Sequence, residues 1–322
     1  MSALDSILDL KSRVSQSIIG QETVVERLII ALLANGNVLM EGLPGLAKTR
    51  AIKSLAANLE ANFSRIQFTP DLLPSDITGS NMYFEHGGTG TFKFQPGPIF
   101  GNLILADEVN RAPAKVQAAL LEAMEERTVT VGEETHQLPP LFMVLATQNP
   151  VEQEGTYPLP EAQMDRFLMH VNITYTSEED EMKIIQLVRG EQSHSGTPPK
   201  QELISQDIIF AAREEIQSVT VSENMDRYIV DIIAATRYPE RYGEETGQLI
   251  DVGASPRGGL AIDRCARAHA WLNERDFITP DDINAIVYDC LRHRIMPSYE
   301  AQADGISAND ILHKLITQVA VA

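Results

Sequence analysis

Two stretches of this chain place residues that together could bind a phosphoanhydride and cleave it. Gly42-Leu43-Pro44-Gly45-Leu46-Ala47-Lys48-Thr49 has the spacing of a phosphate-binding loop, apart from Ala47 in the place of the last glycine. Backbone N–H groups at a helix N-terminus point at an anion, and the helix dipole assists. Lys48 would reach the β- and γ-phosphates, the Thr49 hydroxyl would bind magnesium, and Arg50 follows directly. The second stretch is Leu103-Ile104-Leu105-Ala106-Asp107-Glu108, an apolar strand that delivers two carboxylates to its C-terminal end. Asp107 would hold magnesium directly or through water, and Glu108 would activate the attacking water as a general base. A third candidate is Asn149, at the end of Val144-Leu145-Ala146-Thr147-Gln148-Asn149-Pro150, placed to reach the γ-phosphate or the water. Each piece has a plainer reading: a glycine-rich turn, a solvated acidic turn, and a turn-forming Asn before Pro. Their joint occurrence at strand ends disfavours all three.

These residues need a scaffold that brings strand ends together. Short apolar runs at Asn37–Glu41, Ser64–Phe68, Leu103–Ala106, Leu141–Ala146 and Met169–Ile173 alternate with helix-period segments at Gln21–Asn35, Lys48–Ala61 and Pro113–Glu126. That pattern predicts a parallel sheet in an α/β domain. After Tyr175 the pattern reads as helices only. Ser177 with Asp180 suits a helix start, as do Pro256 and the pair Thr279-Pro280. Residues 190–200 read as a polar loop. The expected fold is an α/β P-loop core over residues 1–176 followed by an all-α lid over 177–322. Two β-hairpins, about residues 82–94 and 128–138, carry turn glycines and should project from the core rather than extend its sheet.

The whole chain agrees with a packed protein. It has 322 residues, a soft prior for about two domains, with 43% apolar and 22% charged residues. Lys plus Arg is 26 against 45 Asp plus Glu, a net charge of −19. Nucleic-acid binders usually show a basic footprint, so no nucleic-acid partner is expected. The N-terminus Met1-Ser2-Ala3-Leu4-Asp5 lacks the basic and apolar regions of a signal peptide. The apolar stretch from Leu28 to Ala34 is too short to span a bilayer, so no membrane segment and a cytoplasmic location are expected. Cys265 and Cys290 each sit on a helical apolar stripe and read as buried thiols. The histidines show no metal-ligand spacing.

These motifs, together with Leu73-Pro74-Ser75-Asp76-Ile77-Thr78-Gly79, Asp107-Glu108-Val109-Asn110-Arg111-Ala112-Pro113 and Leu159-Pro160-Glu161-Ala162-Gln163-Met164-Asp165-Arg166-Phe167, resemble the MoxR family of AAA+ ATPases. Phosphate-binding loops of MoxR-like proteins tolerate alanine at the place of Ala47. The resemblance is most specific between residues 37 and 170. It implies that Ile18-Ile19-Gly20-Gln21 lines the adenine pocket, with Ile19 and Gly20 contacting nucleotide. It implies that Asn149 is sensor 1, and that Arg166 is an arginine finger acting on a neighbouring subunit. Gly253-Ala254-Ser255-Pro256-Arg257 is similar to the sensor-2 segment, which would put Arg257 beside the nucleotide, between core and lid. The hairpins look like the helix-2 insert and the pre-sensor-1 insert of this AAA+ branch. From residue types alone, Arg166 also suits a surface pair with Asp165 or Glu161, Arg257 a solvent-facing helix start, and Arg111 and Arg127 a trans-acting role.

The implied function is an ATP-dependent remodelling or maturation chaperone, using ATP/ADP and Mg2+. It would act in a ring, expected to be hexameric, on a protein client such as one with a von Willebrand factor A domain. The competing readings are a magnesium-chelatase-like motor subunit, a nucleic-acid-associated AAA+ motor, and a nucleotide-gated scaffold that does not hydrolyse ATP.

Overall fold

The computed structural model describes residues 2–42, 48–86, 89–149, 157–193 and 202–321. A five-stranded parallel sheet forms the centre: β1 (Val38–Gly42), β2 (Phe63–Gln67), β5 (Leu103–Asp107), β8 (Met143–Gln148) and β9 (Met169–Ile173). Its order is β2-β5-β8-β1-β9, so the strand that enters the phosphate loop lies between β8 and β9. Asn37 sets that junction. Its side-chain oxygen accepts from Val144 N–H at 2.8 Å, and its carbonyl accepts from Leu168 N–H at 2.8 Å.

Side chains alternate across the sheet and sort the core into two layers. Val38, Met40, Leu103, Leu105, Leu145, Met169 and Val171 face one way, packed with α1 (Ala3–Gln16), α2 (Glu22–Leu33) and α3 (Lys48–Ala57). Leu39, Ile66, Ile104, Ala106, Val144 and Ala146 face the other, against α4 (Pro74–Thr78) and α5 (Ala114–Glu126). Both faces are covered, which is why β5 and β8 read as continuous apolar runs. The first helix, α1, was not expected. A Ser2–Asp5 capping box starts it, and Ile7, Leu10 and Val14 bury one stripe.

After the short α6 (Glu161–Met164) and β9 come α7 (Glu178–Ser193), α8 (Gln206–Gln217), α9 (Glu223–Arg237), α10 (Glu244–Gly247), α11 (Pro256–Leu272), α12 (Pro280–Leu291), α13 (Tyr299–Ala303) and α14 (Ala308–Ile316). α8 and α11 pack on α2, and α12 packs on β9, so these helices share the first apolar layer with the sheet. The expected helix starts are present at Ser177, Ser255 and Thr279. The C-terminal part is not helices only: β10 (Ile250–Val252) pairs with β11 (Met296–Pro297). Strands of three and two residues are too short to show a period in sequence. The predicted polar loop starts late, because α7 runs to Ser193; residues 194–200 lie outside the described set. Cys265 and Cys290 are both buried, and burial pushes the Cys290 thiol well up.

The hairpins are β3 (Gly79–His86) with β4 (Thr89–Pro96), and β6 (Thr128–Val131) with β7 (Glu134–Gln137). Each forms its own two-stranded sheet, as expected. They also touch: Phe94 stacks on His136 with ring centroids 3.9 Å apart and 10° between planes.

Candidate active site

The chemistry gathers at the C-terminal edge of the sheet. β1 ends at Gly42, where a Cβ would sit 2.7 Å from the Ile173 carbonyl oxygen, so only glycine fits against β9. The predicted loop residues Leu43, Pro44, Gly45, Leu46 and Ala47 lie outside the described residues. Lys48 opens α3 and its ammonium donates to Gly42 O at 2.6 Å, Gln148 O at 3.3 Å and Asn149 Oδ1 at 3.3 Å. Burial pushes its pKa down against the pull of Asp107, Glu108 and Glu41. A buried cation whose hydrogen-bond partners are carbonyl oxygens is matched to an incoming anion. Thr49 is half-buried on the same first turn, and Arg50 Nε donates to Ser17 O at 2.8 Å.

Asp107 and Glu108 meet this cation from β5. Asp107 Oδ1 accepts from the Thr147 hydroxyl at 2.7 Å, and Oδ2 accepts from Arg65 Nη2 at 2.6 Å. Glu108 lies in the left-handed region, φ 56 and ψ 49. For a non-glycine residue that costs on the order of 1–3 kcal/mol. The Thr147 hydroxyl accepts its N–H at 2.9 Å and holds the turn. The carboxylate is then spread among three donors: Asn149 Nδ2 at 3.1 Å, Gln67 Nε2 at 3.1 Å and Arg111 Nη1 at 2.9 Å. Asn149 therefore touches Lys48 through its oxygen and Glu108 through its nitrogen. The Thr49 hydroxyl and the Asp107 carboxylate are the oxygen ligands that a hard cation takes.

Sequence reasoning missed Arg65, Gln67 and Thr147. Arg65 and Gln67 lie two apart on β2, and their part in the site comes from strand register, with Gln67 opposite Asp107. Arg111, weighed as a trans-acting residue, pairs within this chain with Glu108.

Gly20, at φ +75, borders a cavity of about 410 Å³ lined also by Gln21, Val24, Thr174, Tyr288 and Asn309. Ile18 is buried in the apolar layer and Ile19 is half-buried; neither lines that cavity.

Arg257 is not beside Lys48. It lies at the N-terminal edge of the sheet, in a cavity of about 390 Å³ lined by Asn35–Asn37, which precede β1, and by Leu168, which precedes β9. The length of β1, roughly 15 Å, separates that edge from the Lys48 edge. The cause is the anchoring of α11. Its cap Ser255 donates to Asp165 (2.9 Å to Oδ2), and Arg294 holds Asp165 Oδ1 at 2.8 Å. Arg166 shares the cavity. Its Nη1 lies 2.7 Å from Glu125 Oε2, and Arg257 Nη2 bonds Glu125 Oε1. The surface partner of Arg166 is thus Glu125 rather than Asp165 or Glu161. Arg127 is a half-buried left-handed residue whose Nη1 donates to Phe142 O at 2.5 Å. Arg237 donates to Ala254 O at 2.8 Å, and Arg241 lies over the Tyr238 ring.

Comparison with known proteins agrees with this architecture. Residues 37–169 match the family of ATPases associated with various cellular activities (AAA), and residues 244–315 match the AAA lid domain. Chaperone MoxR1 of Mycobacterium tuberculosis is 43% identical over 310 residues, covering 96% of this chain and 80% of that protein. YeaC of Bacillus subtilis is 43% identical over 309 residues, covering 96% of this chain and 92% of that protein. A crystal structure of a Cytophaga hutchinsonii protein superposes with a TM-score of 0.91 at 44% identity, covering 99% of this chain and 96% of that one. With its sheet order, its Lys48–Asn149–Glu108 constellation and relatives that match it nearly end to end, this chain belongs to the MoxR family of AAA+ ATPases.

Proposed function

We propose that the protein hydrolyses ATP to ADP and phosphate at interfaces between its own copies, and uses the cycle to remodel a protein client. The observation that carries this is the placement of Lys48, Glu108 and Asn149 at one end of the sheet and of Arg166 and Arg257 at the other. At the C-terminal edge, Gly42 to Arg50 cradle the phosphates, with Lys48 as the buried cation. Glu108 takes the proton of the attacking water, and Asn149 holds Glu108 and Lys48 in register. Magnesium, bound by Thr49 and Asp107, would supply positive charge to the phosphate oxygens. Gly20 borders the base. At the N-terminal edge, the part-exposed Arg166 and Arg257 serve the neighbour's nucleotide. Residues 1–176 act as the ATPase core and 177–322 as the lid, in a ring we take to be hexameric. The two touching hairpins pass the motion to the client, for which a von Willebrand factor A domain is the candidate.

Mixing tests the split. Arg166→Ala and Lys48→Ala proteins should each be inactive alone and regain activity together, because mixed interfaces pair an intact site with an intact arginine. Turnover independent of protein concentration in a demonstrated monomer, without recovery on mixing, would refute it.

A further inference from the structure

Arg166 and Arg257 are both bound to one carboxylate of their own subunit. Glu125 sits one residue from the end of α5, with its side chain about one-third exposed. Oε2 takes Arg166 Nη1 at 2.7 Å, while Oε1 takes Arg257 Nη2. Arg166 Nη1 also donates to Leu121 O at 3.1 Å, along the same helix. Asp165, the other carboxylate in the cavity, is committed elsewhere. It is fixed by Arg294, whose side chain is 3% exposed, and by Ser255, and it stands 3.7 Å from Arg257. Among the described residues, the ion partners of Glu125 are the two arginines alone.

We infer that Glu125 is a positioning residue that occupies, within the free subunit, the place that the neighbour's phosphoryl oxygens take on assembly. This rests on the trans reading above. The physical case is short. Two guanidinium groups in one small cavity repel each other, and Arg127, Arg264 and Arg294 line the same cavity. A carboxylate with one oxygen on each arginine offsets that repulsion and keeps both side chains converged. Phosphate oxygens offer the same acceptor chemistry to arginine with more charge. The two anions compete for the same donors, so Glu125 gathers the pair and also sets a threshold that an incoming site must exceed. A subunit without a loaded neighbour thereby keeps its arginines folded onto α5.

The test places the change only in the arginine-donating subunit. Lys48→Ala protein donates to Arg166→Ala protein, and ATP turnover is followed as donor concentration rises. Adding Glu125→Gln to the donor removes the competing charge but keeps an oxygen acceptor. The half-saturating donor concentration should fall about three-fold or more, the weight that two part-exposed ion pairs carry. Turnover at saturation should change less than two-fold. Glu126→Gln, the adjacent carboxylate, should leave the curve in place, which separates a local pairing from a general loss of negative charge. An unchanged or raised half-saturating concentration with Glu125→Gln would overturn the inference, as would an equal shift with Glu126→Gln. A donor carrying Lys48→Ala, Arg166→Ala and Arg257→Ala should give nothing. Activity from that donor would show that the trans reading itself had failed.

Discussion

On the proposed reading, the two edges of the central sheet hold opposite halves of one chemistry. At the C-terminal edge a single buried lysine stands among Asp107, Glu108 and Asn149, with its ammonium on carbonyl oxygens. At the N-terminal edge five arginines line one cavity with only Glu125 and Asp165 among the carboxylates there. In a chain of net charge −19, that concentration of guanidinium groups sets the second edge apart from the surface at large. The length of the strands separates the edges, and β5 and β8 are buried on both faces, so no side-chain movement brings one subunit's halves together. A site that needs both must form between copies.

Removing Arg166 should break the comparison most visibly. Charge develops on the transferring phosphoryl group, and a finger arginine typically contributes about 10³–10⁵ in rate, roughly 4–7 kcal/mol of barrier. Arg166→Ala should lose activity on that scale while ATP affinity, measured by equilibrium binding, stays nearly unchanged. A matching loss of affinity would move Arg166 into its own subunit's binding site.

Glu108→Gln attacks the other edge. The carboxamide oxygen still accepts from the neighbouring donors, but the group cannot take the proton of water. A general base contributes about 10²–10⁴, so turnover should fall by that factor with binding kept. Lys48→Ala should instead weaken binding, because the cation facing the phosphates is gone. Equal loss of ATP binding in both variants would show that the separate roles are wrong.

Arg257 sharpens the comparison, since the two edges give it opposite predictions. Loss of one donor aimed at developing charge costs about 10²–10³ in rate. If Arg257 serves the neighbour, Arg257→Ala mixed with Lys48→Ala recovers activity. If it served its own site, every site in the mixture would lack one essential group, and no recovery would follow.

Much of the C-terminal edge was legible in sequence, because strand-end motifs are local. Lys48 opens the helix that follows its strand, Asp107 and Glu108 end theirs, and Asn149 closes a third, so a parallel sheet suffices to bring them together. Arg65, Gln67 and Thr147 were not legible as site residues. Their roles depend on which strands are neighbours, and the order β2-β5-β8-β1-β9 is a tertiary fact. The left-handed turn at Glu108 left no mark, since neither glycine nor asparagine occupies it. The place of Arg257 at the N-terminal edge was not legible either. The packing of α8 and α11 on α2 joins segments roughly 200 residues apart, and the local sequence of α11 specifies a helix start without saying which sheet edge it meets.

The hairpins should show the smallest effect on chemistry, and that smallness is informative. Tyr83 and Phe92 face each other across the first hairpin, ring centroids 5.3 Å apart, yet they are 58% and 72% exposed. A monomeric surface gains little from such aromatics, and substitutions at surface sites of this kind usually alter stability by no more than about 0.5 kcal/mol. Neither residue reaches Lys48, Glu108 or Asn149, so replacing both with alanine should leave basal turnover within about three-fold, as expected when no group in contact with the reacting atoms is lost. The second hairpin stacks His136 on Phe94, so movement of one insert reaches the other without passing through the nucleotide site. His136→Ala should therefore also spare basal turnover. The readout is the steady-state ATPase rate beside a thermal melt. Collapse of the rate in a protein that melts normally would mean that the inserts brace the catalytic edge, and their assignment to client coupling would have to be abandoned.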